Sequence, residues 1–136
     1  MKLSTAIRIG SMTTKQIKGA VNDGGNGRCA IGAAIDATGN EPGCTAWHSQ
    51  ITTFFPLAGL EVKMPPHECS LCTECRYVPV FHVLYHLNDT ANWTREAIAD
   101  WVESVENALE EKEGNKQGNS ELNRVITTNK ELAEVA

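Results

Sequence analysis

Apolar residues along this 136-residue chain recur mostly three and four apart, the spacing that lines one face of an α-helix. Leu3, Ala6, Ile7 and Gly10 keep that spacing, with Ser4 placed to cap the start. A second short helix is expected from Thr13, with Gln16 as its capping-box partner and Ile17 and Val21 continuing it. Asn22-Asp23-Gly24-Gly25-Asn26-Gly27 then breaks the pattern into a turn. That stretch lacks the Gly-Lys-Ser/Thr ending of a phosphate-binding loop, and no strand pattern precedes it. Cys29 to Thr38 predicts a short helix closed by Gly39, and its small residues Ala30, Gly32, Ala33, Ala34 and Ala37 invite close approach by a neighbour. Cys29 reads as a buried packing residue rather than a metal ligand. Thr45 is the expected cap of a helix whose core stripe is Trp47, Ile51, Phe54 and Phe55, with His48 outside the stripe and Pro56 as the stop. Leu60 and Val62 suggest a short strand.

Further on, Pro79 suits the first turn of a helix. Val80, Val83, Leu84 and Leu87 form its apolar stripe, while His82, His86 and Asp89 share another face. Thr94 is the expected N-cap of the last strong helix, with Trp93 and Ile98 as a hydrophobic staple. Ile98, Trp101, Val102, Val105 and Leu109 point inward, and Glu96, Asp100, Glu103, Glu106 and Glu110 are expected to face solvent. Gly114 is expected to end it. The reading is therefore a mainly α fold of about five short helices, with a zinc knuckle before the last helix pair. Residues 1–113 make one helical domain. Residues 114–136 make a polar tail, in which Ser120, Leu122, Val125 and Ile126 predict one or two further turns and Leu132 and Val135 carry the pattern on weakly.

Composition narrows the picture. A hydrophobic fraction of 41% supports one modest core. No apolar run approaches the ~18 residues of a membrane span, and the N-terminus lacks an apolar stretch of signal-peptide length, so a cytoplasmic protein is expected. The five cysteines are an odd number, and Cys69, Cys72 and Cys75 crowd together, which fits reduced, metal-bound thiols better than a disulfide framework. The net charge of −5 is unevenly placed. Residues 1–39 carry five bases against two acids, and residues 94–113 carry seven acids against two bases.

The chemistry concentrates between His67 and His86. A Cys-x-x-Cys step lets two thiolates reach one ion from a tight turn, and histidines four apart project from one helix face. The preferred set is zinc held by Cys69, Cys72, Cys75 and His86. His82 is the alternative fourth ligand, also in a set of Cys69, Cys72, His82 and His86, and His67 is the next choice. Four ligands leave no open position, which makes the site structural. An iron–sulfur cluster is the rival occupant, but Pro79 stands where the fourth cysteine of a ferredoxin run belongs, leaving only distant Cys29 or Cys44.

A catalytic zinc on His82, His86 and one cysteine, with Asp89 or Glu68 as base, is disfavoured by the surplus of thiolates. No nucleophile triad or cofactor motif is present, so enzymatic activity is not the favoured reading. The expected role is a binding or adaptor protein whose acidic last helix or tail meets a protein partner. A nucleic-acid-binding regulator is the alternative, since helices over 80–88 and 94–111 superficially resemble a helix-turn-helix. The acidic second helix would be repelled by phosphates, although the basic front half favours the idea.

Three segments carry a resemblance: Leu3-Ser4-x-Ala6-Ile7-Arg8-x-Gly10, Cys29-Ala30-Ile31-Gly32-Ala33-Ala34, and Tyr85-His86-Leu87-Asn88-Asp89 followed by Trp93-Thr94-Arg95-Glu96-Ala97-Ile98-Ala99-Asp100-Trp101-Val102-Glu103. Over roughly residues 1–105, by such motif matching, the chain resembles a group of small uncharacterised proteins from bacteria and their phages. That group pairs a Cys-x-x-Cys with the histidine of the His-Leu-Asn-Asp motif and often with a second histidine five residues later. Here that later position is Ala91, and a third clustered cysteine is present instead. The resemblance implies a metal-stapled fold in a bacterial or phage setting, and no particular activity.

Overall fold

The computed structural model describes residues 1–67 and 77–115, with side chains as far as Lys112. The fold is mainly α, with five α-helices and two small sheets among the described residues. The first helix, α1, runs over Leu3–Thr13 and buries Leu3, Ser4, Ala6, Ile7 and Gly10. Ser4 does not cap it. Lys2 holds the cap position without a side-chain bond, and Ser4 lies inside the helix with both its backbone N–H and its hydroxyl donating to Glu106.

The helix expected from Thr13 does not form. Strand β1, Lys15–Gln16, pairs in parallel with β2, Gly27–Arg28, in the register Lys15 to Gly27 and Gln16 to Arg28. Long-range partners outbid the local helix here. The Gln16 amide donates to Asn88 Oδ1 and to the Trp93 carbonyl, both at 2.9 Å. Ile17 donates its N–H to the Arg28 carbonyl. The intervening turn is held by Asp23, whose Oδ1 accepts from the N–H groups of Gly25 and Gly27. Those two bonds hold its carboxyl below the usual carboxylate range.

Helix α2, Ala30–Ala37, is capped by the Cys29 sulfur, which accepts from the Gly32 N–H at 3.4 Å. It ends at Thr38, and Gly39 follows in the left-handed conformation with φ 86°. Its small residues do what their size permits. A Cβ on Gly10 would overlap the carbonyl oxygen of Ala33, and one on Gly32 would overlap that of Val21. Backbone therefore meets backbone where α1 crosses α2.

Helix α3, Trp47–Phe54, is capped at Ala46 without a side-chain bond, so Thr45 plays no capping part. Its aromatic stripe is core only in part. Ile51 and Phe55 are buried, Trp47 is half-buried, and Phe54 is 39% exposed. A single 3-10 turn, Pro56–Gly59, leads into β3, Glu61–Lys63, which pairs antiparallel with β4, Tyr77–Pro79, placing Val62 opposite Val78.

Helix α4, Val80–Asp89, begins directly after Pro79, and Val80, Val83, Leu84 and Leu87 are buried along it as the spacing requires. Helix α5, Arg95–Asn115, is capped by Thr94, whose hydroxyl accepts from the Ala97 N–H at 3.1 Å. It continues through Gly114 rather than stopping there. The expected turns at residues 120–135 lie outside the described residues.

One apolar core joins α1, α2, α4 and α5, with Leu3, Ile7, Ile31, Ile35, Leu84, Leu87, Ile98 and Val102 at its centre. Glu106, expected in solvent, is 7% exposed and faces this interior through Ser4. No helix among the described residues is long and apolar enough to cross a membrane.

Candidate metal centre

The β3–β4 hairpin and α4 bring two of the expected ligands together. His67 follows Pro65-Pro66 just after β3, and His86 lies on the second turn of α4. Their Nε2 atoms are 3.0 Å apart, with ring planes at 73°. Two imidazole nitrogens bound at 2.0–2.1 Å to one tetrahedral zinc would stand about 3.3 Å apart by simple geometry.

The protonation pattern suits such an ion. His67 Nδ1 lies 2.7 Å from the Pro65 carbonyl, which can only accept, so in neutral His67 the proton sits on Nδ1 and the lone pair on Nε2. At His86, burial first and the neighbouring His67 second push the pKa below the ordinary histidine value, with Asp89 opposing weakly. Both effects favour the neutral imidazole that a metal requires.

His82 is placed differently. Its Nδ1 is 2.5 Å from the Tyr85 hydroxyl. Its ring lies parallel to that of His86, at a centroid distance of 6.3 Å and 8° between planes. Geometry thus groups His86 with His67, across the hairpin, and sets His82 beside Tyr85. Cys69, Cys72 and Cys75, and the candidate base Glu68, lie outside the described residues. Among the described residues no group of three or more metal-ligating side chains converges.

The remaining candidates have other duties. Cys29 is 2% exposed at the start of α2, where its sulfur caps the helix, and burial pushes its thiol up to about 11. Cys44 is an exposed free cysteine. Asp89 accepts from the Asn88 side-chain amide at 2.8 Å. Behind the histidine face, Trp47, His48, Phe81 and Tyr85 make a run of edge-to-face rings, with centroids 4.4 to 6.2 Å apart, that ties α3 to α4.

Two residues that sequence reasoning passed over hold α4 and α5 in place. Asn88 is fully buried: its oxygen accepts from Gln16 and from the Ala30 N–H, and its amide donates to the Ile17 carbonyl and to Asp89. Arg95 is 7% exposed and donates to Thr14 through both its hydroxyl and carbonyl, and to the carbonyls of Ser11 and Arg28. A signal existed for each. Asn88 lies four residues beyond Leu84 on the buried stripe, and a base in the first turn of a helix opposes the helix dipole unless tertiary partners compensate it.

The charge asymmetry of the sequence closes on itself. Arg8 on α1 pairs with Asp100 at 2.7 Å, Glu103 at 2.9 Å and Glu96 at 4.0 Å, and Lys2 pairs with Glu110 at 2.7 Å. In comparisons with known proteins, no family model, no curated protein and no solved structure matches the chain.

Proposed function

We propose that this is a small non-enzymatic zinc-binding protein, of the bacterial and phage type that its motifs resemble, in which the ion staples the β3–β4 hairpin to α4 and the folded domain serves as an adaptor for a protein partner. The observation that carries this reading is the approach of His67 Nε2 to His86 Nε2, on either side of the Cys69–Cys75 run. His86 belongs to the preferred ligand set. With three thiolates it completes a Cys3His site, and with two thiolates and His67 it completes a Cys2His2 site. Either set is closed, which favours a structural role. The adaptor surface on this reading is the acidic face of α5. Glu96 and Asp100 remain 63% and 73% exposed in their side chains despite Arg8, so they can meet a basic protein surface. The same carboxylates repel nucleic-acid phosphates.

Elemental analysis of the purified chain tests the reading, run beside Cys72→Ser, His86→Ala, His67→Ala and His82→Ala. One zinc per chain is expected, lost in Cys72→Ser and His86→Ala and retained in His82→Ala. Loss in His67→Ala assigns the Cys2His2 set, and retention assigns Cys3His. Iron with visible absorbance, or a stable folded protein without metal, overturns the proposal.

A further inference from the structure

The turn between β1 and β2 carries a chemistry that the metal reading does not use. Asn26-Gly27 is the only Asn-Gly step in the chain. At such a step the backbone nitrogen of the glycine can attack the asparagine side-chain carbon, because no Cβ on the second residue shields it. Packing requires the glycine here. A Cβ on Gly27 would overlap the Asp23 carboxylate and the Ile17 methyl. Asn26 itself is exposed, so water reaches its side-chain amide. The nucleophile, however, is held. The Gly27 N–H donates to Asp23 Oδ1 at 3.0 Å, and the Asn26 carbonyl accepts from the Lys15 N–H at 2.9 Å. The peptide unit between Asn26 and Gly27 is thus clamped at both of its polar atoms.

We propose that Asn26-Gly27 is a spontaneous deamidation site, restrained by Asp23, whose product opens the β1–β2 pairing. The Gly27 nitrogen gives its proton to hydroxide and bonds to Asn26 Cγ. The bond from Cγ to the side-chain nitrogen breaks, and that nitrogen leaves as ammonia with a proton from water. One water then opens the resulting succinimide to aspartate or isoaspartate. Water enters, ammonia departs, and nothing is oxidised or reduced. Asp23 opposes the first step. Its carboxyl is held below the usual carboxylate range by the Gly25 and Gly27 N–H groups, so it is ionised at neutral pH. A nitrogen that loses its proton beside that carboxylate develops like charge within hydrogen-bond distance, which is unfavourable. The product undoes the local structure. In isoaspartate the main chain runs through the former side chain, so it is longer by a methylene, and the carbonyl that accepted from Lys15 becomes a free carboxylate. Strand β2 has only Gly27 and Arg28 to set its register against Lys15 and Gln16, so it cannot absorb that insertion. The bond from the Ile17 N–H to the Arg28 carbonyl is then lost as well.

This inference stands apart from the zinc reading, because no residue of the turn belongs to the histidine site. The test follows the mass gain of amide-to-acid conversion, assigned to Asn26 by fragmentation, in the full chain with its metal content as purified. The chain unfolded in urea should convert at Asn26 severalfold faster than the folded chain. Folded Asp23→Ala should convert severalfold faster than the folded unaltered chain. Should Asp23→Ala lose helical circular dichroism, Asp23→Ser takes its place, since its hydroxyl can still accept from the turn while carrying no charge. In the separated isoaspartate form, hydrogen exchange at the Lys15 and Ile17 amides should accelerate. Equal rates in the folded and urea-unfolded chain overturn the proposal, as does a folded Asp23 variant that converts no faster than the unaltered chain. Unchanged exchange at Lys15 and Ile17 in the isoaspartate form overturns it too.

Discussion

Asn88 shows how much a single polar side chain can organise when it is buried with all its bonds made. Replacing it by alanine leaves the Ala30 N–H and the Ile17 carbonyl without partners. An unpaired buried group costs about 1–3 kcal/mol, so Asn88→Ala should lower unfolding stability by about 2–4 kcal/mol, read from the urea midpoint. Cys29 makes a different prediction, in pH. Burial disfavours the thiolate and pushes the Cys29 thiol up from 9.0 to about 11. The stabilisation is complete below pH 9, where the thiol is neutral in both states. It is lost as pH rises from 9 to 11, because the unfolded chain ionises first. The linkage amounts to about 2–3 kcal/mol. Cys29→Ala should lack that part of the alkaline decline in melts recorded from pH 8 to 11.

At the scale of elements, the contact of α1 with α2 depends on Gly10 having no side chain. Gly10→Ala drives a methyl into the Ala33 carbonyl and should cost about 3 kcal/mol or more, since backbone cannot step aside as a flexible side chain can. Gly39→Ala is the control. Space there is open, and only the φ of 86° is strained, so a loss of about 1 kcal/mol is expected. Thermal denaturation of the two variants separates close packing from backbone strain.

The helices themselves were largely legible in the sequence. α1, α2, α4 and α5 each bury an apolar stripe at helical spacing, and Thr94 caps where its position implied. What escaped was set by distant partners. Gln16 has the spacing of a capping residue, but its amide is taken by Asn88, far along the chain. Strands of two or three residues carry no period to detect. Glu106 sits among solvent-facing acids, and only Ser4 explains its burial. At the histidines, the four-residue spacing put His82 and His86 on one helix face, and the fold adds His67 against His86, an approach that no helical period encodes.

For the whole molecule, the core draws mostly on α1, α2, α4 and α5, and the hairpin adds Val62 and Val78 to it. If zinc is bound as proposed, a strong chelator should lower the melting temperature while leaving most helical circular dichroism below the transition. Hydrogen exchange should then accelerate at residues 61–67 and 77–86 ahead of α1 and α2. Uniform acceleration would mean that the ion holds the entire domain. The pairing of α1 with α5 also bears on how the molecule is made. Ser4 and Glu106 are 102 residues apart, and Arg8 and Asp100 are 92 apart. At synthesis rates of about 5–20 residues per second, α1 emerges roughly 5–20 seconds before the helix that covers it. Throughout that interval the side of α1 that meets α5 is exposed on the growing chain. Of the two helices α1 is therefore the one that waits, and it is on that uncovered side that a chaperone would find its handhold.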